Sequence, residues 1–395
     1  MEQNVTFKDA GDTKGITVVS NYADLRHALC SAQPMTICVD GYIDCGVNPV
    51  VLFPGQRIVG KIPGNKKRFP KSKPSGLLMR ICGQAPAVLM AENSGLVDLT
   101  VKVMVSSSGV GDASKQRIIS FDETAREAFW ENVDVQFDAS RREAKGSLNV
   151  IEIPRSLNEL KLLGSCFIID QTREFIGCGI QGHSGKSVLN VCGKLDIEME
   201  NGQAVSNLAV KMSDADFRCK ALYGLTDCSL FISGSSRVCL SCWKYALQRI
   251  LPLEMGGSSR IDIWAPTVAC GPQLGHSKIL LTGDSKIFIA AERLNQVVLE
   301  QNKIVQHDNS VLDVNVFGLG AVVLGGETEL EVGGNAHFRV HLPEIAADLG
   351  IAVISGRQKN MLVTELSWWR ILLGKCLLRY RRVINFAPFL LLGQR

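Results

Sequence analysis

Gly234-Ser235-Ser236-Arg237-Val238-Cys239-Leu240, Gly257-Ser258-Ser259-Arg260-Ile261-Asp262-Ile263 and Gly283-Asp284-Ser285-Lys286-Ile287-Phe288-Ile289 are three copies of one pattern. Asp308-Asn309-Ser310-Val311-Leu312-Asp313-Val314 is a looser fourth. The shared serines, Ser236, Ser259, Ser285 and Ser310, lie 23, 26 and 25 residues apart. Internal similarity at a period of about 20–50 residues marks a solenoid or an array. In each copy a Gly/Ser/Asp turn leads into a short run whose apolar residues recur every second position, with Arg237, Arg260 and Lys286 at the preceding outward-type positions. Alternation with period two reads as a half-buried strand, because helical apolar residues would recur at three and four.

One such strand cannot bury its inner face alone. Stacked in register, Val238, Ile261, Ile287 and Leu312 would form an aliphatic ladder inside a cylinder, with rungs at the ordinary inter-strand spacing of about 4.8 Å. Burial of that ladder would supply the stability, at roughly 25 cal/mol per Å² of apolar surface. An α/β solenoid needs an amphipathic helix in each repeat, and the sequence between Gly182 and Leu342 offers none. The same grammar continues outward from the repeat. It is found in Lys194-Leu195-Asp196-Ile197-Glu198-Met199, Glu329-Leu330-Glu331-Val332, Gly95–Val103 and Glu131–Phe137.

At the other end, Ile16-Thr17-Val18-Val19 precedes Ser20-Asn21-Tyr22-Ala23-Asp24-Leu25-Arg26-His27-Ala28-Leu29. Ser20 or Asn21 can cap a helix there, with Leu25, Ala28 and Leu29 as its apolar face. Thr36–Ile43 and Val51-Leu52-Phe53-Pro54-Gly55-Gln56-Arg57-Ile58-Val59-Gly60 follow as strand and Pro-Gly turn. In these pieces the chain resembles the right-handed parallel β-helix (pectin-lyase-like) superfamily, with its capping helix and early coils. The resemblance covers about residues 15–345 and concerns the fold, not an activity. The expectation is an all-β chain. Residues 1–35 form an N-terminal extension and capping helix, 36–345 a parallel β-helix, and 346–395 a C-terminal cap or tail, partly helical, basic and aromatic.

Composition agrees with many small turns and aliphatic strands: 46% hydrophobic, 21% charged, 37 glycines and only 6% aromatics. The net charge of +4 is small for a chain of 395 residues and argues against a nucleic-acid partner. The 13 cysteines include one Cys-x-x-Cys, Cys239 to Cys242, with no second pair to complete a zinc site. Cys166 and Cys239 stand where strands carry aliphatics, as small hydrophobes do, which points to a reducing compartment. The start of the sequence lacks a basic region followed by an apolar one, and no uncharged apolar run reaches the length of a membrane span. The expected location is cytoplasmic, or outside the cell by a signal-peptide-independent route.

Two segments break the pattern. Lys61, Lys66, Lys67, Arg68, Lys71 and Lys73 lie among Pro63, Pro70 and Pro74 in a loop that leaves the wall and offers a surface to an acidic partner. The tail from Leu366 sets Trp368 and Trp369 among leucines and Arg370, Lys375, Arg379, Arg381 and Arg382. Its first reading is a cap over the open end of the solenoid, where unpaired strand edges need cover. The alternative is peripheral contact with a membrane surface.

The resemblance implies where enzymes of this superfamily keep their chemistry: acids, bases or calcium ligands on the outer face of neighbouring coils. Gly182-His183-Ser184-Gly185 partly matches the histidine turn of polygalacturonase-like members, yet their paired aspartates are missing and Asp170 stands alone. Hydrolysis of a glycosidic bond needs two converging carboxylates. The signatures of pectate-lyase-like members are also absent, although Asp134 and Gln136 would share an outward face with Phe137 turned in. Asp134, Asp170 and His183 are therefore the catalytic candidates. No metal site and no cofactor is expected. The functional expectation is a binding or scaffold protein using the lateral face, of the effector or virion type of a bacterium or virus, with a protein or glycan partner. A divergent polysaccharide lyase or glycoside hydrolase is the alternative.

Overall fold

A computed structural model of the chain describes residues 15–60, 74–81, 83, 85–105, 116–139, 148–171, 177–183, 186–250, 252–269, 277–294, 302–318, 328–343, 351–356 and 361–380. These residues hold 30 strands and two helices, and the strands join through parallel pairings into stacked ladders. The chain is a parallel β-helix solenoid, as the repeat implies.

Three walls run along the molecule. On the first, Ile37, Ile58, Leu96, Trp130, Leu162, Val191, Met212, Ile232, Met255 and Leu281 succeed one another in register and are all buried. The second carries Ile43, Leu77, Val101, Val135, Ile168, Ile197, Cys219, Leu240, Ile263, Ile289, Val314 and Val340 in the same way. Val88, Ile119, Ile151, Ile180, Val205, Leu225 and Leu247 line the third. Val238, Ile261, Ile287 and Leu312 pair in the register that the repeat predicts, each buried. Cys219 replaces an aliphatic in the second row, a small hydrophobe among others.

The corner between the first and second walls explains the Gly-Ser-Ser pattern. Asp214, Gly234, Gly257, Gly283, Asp308 and Gly334 all take positive φ, between 53° and 67°. Glycine enters that region without steric cost and Asp tolerates it, so the looser fourth copy can begin with Asp308. Successive turns then bond to one another: Ser258 N to Gly234 O at 2.9 Å, Asp284 N to Gly257 O at 2.8 Å, Asn309 N to Gly283 O at 3.1 Å. Ser236, Ser259, Ser285 and Ser310 point inward just after the turn and are fully buried.

At the N-terminal end, Ile16–Val19 pairs with Thr36–Val39, so the ladder already begins before residue 36. Helix α1, Tyr22–Leu29, is capped by Asn21, whose Oδ1 accepts from Asp24 N at 2.9 Å. Leu25, Ala28 and Leu29 close the core, and buried Gln56 holds the helix end by donating to Leu29 O at 3.1 Å.

The C-terminal end differs from the sequence expectation in two ways. Ile351–Gly356 and Met361–Glu365 pair with Thr328–Val332 and His337–Leu342, so the ladder continues past residue 345. Helix α2, Trp368–Tyr380, lies on the outer surface of the second wall, against Arg260–Ala269 and Lys286–Leu294. There Leu366, Ile371 and Leu378 pack with Trp264, Phe288, Ala290 and Phe317. An apolar patch on the wall, Trp264 beside Phe288 with ring centroids 5.5 Å apart, draws the helix sideways rather than over the end.

Candidate lateral binding site

The outer row of the first wall places Asn190, Lys211, Phe231, Glu254 and Leu280 in register on neighbouring coils. Alternation fixes this outward direction. In Ser229-Leu230-Phe231-Ile232-Ser233 the buried Leu230 and Ile232 face the core, which turns Phe231 out. A groove of about 440 Å³ opens over this row, bordered also by Ser213, Ser233 and Thr282. Ser233 Oγ donates to Met212 O at 3.2 Å and Thr282 Oγ1 to Met255 O at 3.1 Å, which fixes both hydroxyls along the edge. The groove thus presents an aromatic surface between an ammonium and a carboxylate, with an amide and hydroxyls around it. That is the mixed apolar and polar lining of a ligand site, and its volume fits a small ligand or part of a longer one.

Further aromatic groups stand elsewhere on the outside. Tyr223 and Tyr245 stack with centroids 6.0 Å apart, and Lys244 Nζ lies 3.0 Å from the Tyr223 hydroxyl and 5.4 Å from its ring centroid.

A second polar cluster sits on the third wall. Arg117, Glu152 and His183 come from Gln116–Phe121, Leu148–Ile153 and the residue after Gly177–Gly182. The Glu152 side chain is only 4% exposed. One of its oxygens, Oε1, lies 2.5 Å from His183 Nε2, and Oε2 is 2.5 Å from Arg117 Nε, an ion pair off the line of a hydrogen bond. Asn149 Nδ2 donates to Oε2 at 3.4 Å. A buried carboxylate that orients an accessible histidine is a familiar element of acid–base chemistry. The arrangement still holds a single carboxylate.

The three catalytic candidates read from the sequence are not brought together. His183 joins the cluster on the third wall. Asp134 lies on the outside of the second wall, in the row of Thr100 and Phe167. It accepts from Gln136 Nε2 at 2.6 Å, and burial pushes its carboxyl above the usual range, partly offset by that bond and by Lys102. Phe137 is turned in, as expected. Asp170 pairs in register with Phe137 and is 5% exposed, so its position belongs to the inward row rather than to an outer face. As a surface acid it is corrected by period two itself: Ile168 and Asp170 share a side of the strand. Of the proposed binding residues, Trp368 and Trp369 are exposed on α2. Lys61, Lys66, Lys67, Arg68, Lys71, Lys73, Arg381 and Arg382 lie outside the described residues.

Sequence reasoning missed the groove and the glutamate. Phe231 was legible as an aromatic at an outward strand position. Glu152 was not, because its partners lie 35 and 31 residues away in coils that no shared turn sequence marks. Cys239 and Cys242 point to opposite sides of their strand, the second buried beside Cys219. Among the described residues no three His, Cys, Asp or Glu side chains gather as a metal site would, and no helix is long and apolar enough to cross a membrane. No family model, no curated protein and no solved structure matches this chain.

Proposed function

We propose that this chain is a non-catalytic binding or scaffold protein that holds an oligosaccharide along the outer row of its first wall. The observation that carries this reading is the groove over Asn190, Lys211, Phe231 and Glu254. An outward ring offers a sugar its apolar face, and amide, hydroxyl and charged groups on both sides suit hydroxyls and carboxylates of a glycan. Coils repeating at about 4.8 Å offer similar contacts again and again to an extended chain. Kinship with pectin-lyase-like proteins, a reducing compartment or signal-independent delivery, and an effector or virion role belong to the same proposal. The buried, unpaired thiols support the compartment.

Isothermal titration against neutral and acidic oligosaccharides tests the proposal. Phe231→Ala should weaken the bound glycan about tenfold, as loss of one stacking surface does, with no shortened product formed by the parent protein. Equal affinity of parent and variant would sink the assignment of the groove, and product formation would sink the non-catalytic reading.

A second reading, a divergent polysaccharide lyase or glycoside hydrolase, draws on Arg117, Glu152 and His183. If it holds, His183→Ala abolishes cleavage of an acidic polysaccharide while leaving the denaturation midpoint in place. Product formation that survives the substitution would remove the cluster from the chemistry.

A further inference from the structure

Helix α2 is apolar on both sides, and among the described residues only one side has a partner. Inward, Ile371, Gly374 and Leu378 meet Trp264, Ala290 and Phe317. Outward, Trp368 and Trp369 are 62% and 71% exposed, and Leu372 and Leu373 are 46% and 38% exposed. The two tryptophans contact each other edge to face, with centroids 4.3 Å apart, which gathers them into one projecting group. Contiguous exposure of this kind marks an interaction surface rather than the scatter normal for soluble proteins.

Charge identifies the partner. From Leu366 to Arg395 the sequence holds Arg370, Lys375, Arg379, Arg381, Arg382 and Arg395, with no Asp or Glu. This tail alone carries more positive charge than the net +4 of the whole chain. An acidic protein groove would satisfy the arginines but leave the Trp-Leu surface to find a matching apolar cleft. An anionic bilayer satisfies both at once: indole rings settle at the level of the headgroups, leucines enter the acyl boundary, and basic side chains face the lipid phosphates. We infer that α2 docks the solenoid onto an anionic membrane surface, lying in the interface with Trp368, Trp369, Leu372 and Leu373 inserted. The inference is independent of the glycan groove, which lies on another wall.

The test uses the full chain and vesicles of phosphatidylcholine with or without phosphatidylserine. The protein should sediment with the anionic vesicles and not with the neutral ones, and release on raising salt. Trp368→Ser with Trp369→Ser should weaken sedimentation at least about tenfold. Bromine-labelled acyl chains provide a second readout on the unaltered protein. They should quench the tryptophan fluorescence of the parent through Trp368 and Trp369, and far less that of the double variant, which keeps only the buried Trp130 and Trp264 and the half-buried Trp243. Vesicle binding without quenching would overturn the insertion. So would a failure to bind anionic vesicles, or a concentration-dependent dimer that the double substitution dissolves, since a second copy would then be the partner of this face.

Discussion

A β-carbon built on Gly95 would come within 2.2 Å of the Phe129 ring. That ring lies over the glycine and meets the guanidinium of Arg57, 5.0 Å from its centroid. The second wall repeats the device: Tyr42 covers Gly76, and Lys102 Nζ sits 5.1 Å from the Tyr42 centroid. In each case an aromatic side chain fills the gap left by a missing one and gains a cation at its face. Gly95→Ala must displace Phe129 and break that contact. It should cost about 1–3 kcal/mol, read as a lower urea midpoint at unchanged slope. An unchanged midpoint would mean that the ring swings away freely. Serines show the opposite economy. Ser236 Oγ donates to Ser233 O at 2.7 Å and accepts from Ala215 N at 3.2 Å, whereas the buried hydroxyls of Ser259, Ser285 and Ser310 meet no partner among the described residues. Ala215 and Ala336 precede the same strands in neighbouring coils, so a methyl group fits the corner. Ser285→Ala should therefore hold or raise stability, and Ser236→Ala should lower it by about 1–2 kcal/mol. Paired denaturation curves decide, and equal losses would contradict the argument.

Elements in this molecule owe their placement to their neighbours more than to their own propensity. Helix α1 is amphipathic, capped and seated where its sequence says. Helix α2 is not: apolar residues occur all round it, so its sequence could not show which side would be covered or by what. The deciding feature is Gly374, where a β-carbon would come 2.4 Å from the Phe317 ring. In an isolated helix Gly→Ala is favourable by about 1 kcal/mol. On this wall it should push α2 away. Gly374→Ala is expected to expose residues 366–380 to rapid proteolysis while the strands stay protected, which mass spectrometry of the fragments would show. A protease pattern like that of the parent would mean that the helix tolerates a lateral shift.

At the scale of the whole molecule, the repeat made the architecture legible because every coil repeats the same inward alternation. Register followed from it wherever the Gly-Ser turn marks the coil, as with Val238, Ile261, Ile287 and Leu312. It was lost where no shared turn sequence does, which is why Glu152 could not be placed beside Arg117 and His183, nor Lys211 beside Phe231. The extended core also gathers many thiols. Burial pushes Cys45 and Cys228 up to about 12 and Cys166 up to about 11, from an ordinary value of 9.0. The folded state holds these groups protonated while the unfolded chain ionises near 9. Their stabilising effect is complete below that pH and is lost as pH rises toward 11–12. Denaturation midpoints should thus fall steadily above pH about 9, and Cys45→Ala with Cys228→Ala should flatten the fall. A slope untouched by both substitutions would assign it to other groups. The corner turn described above carries a broader consequence. Each turn bonds only to the turn before and after it, so a whole coil can be gained or lost while the rest keep their neighbours. The molecule is in effect a ruler graduated in steps of about 4.8 Å, and the distance between its N-terminal helix and the wall where α2 rests is a length that duplication of one coil can reset.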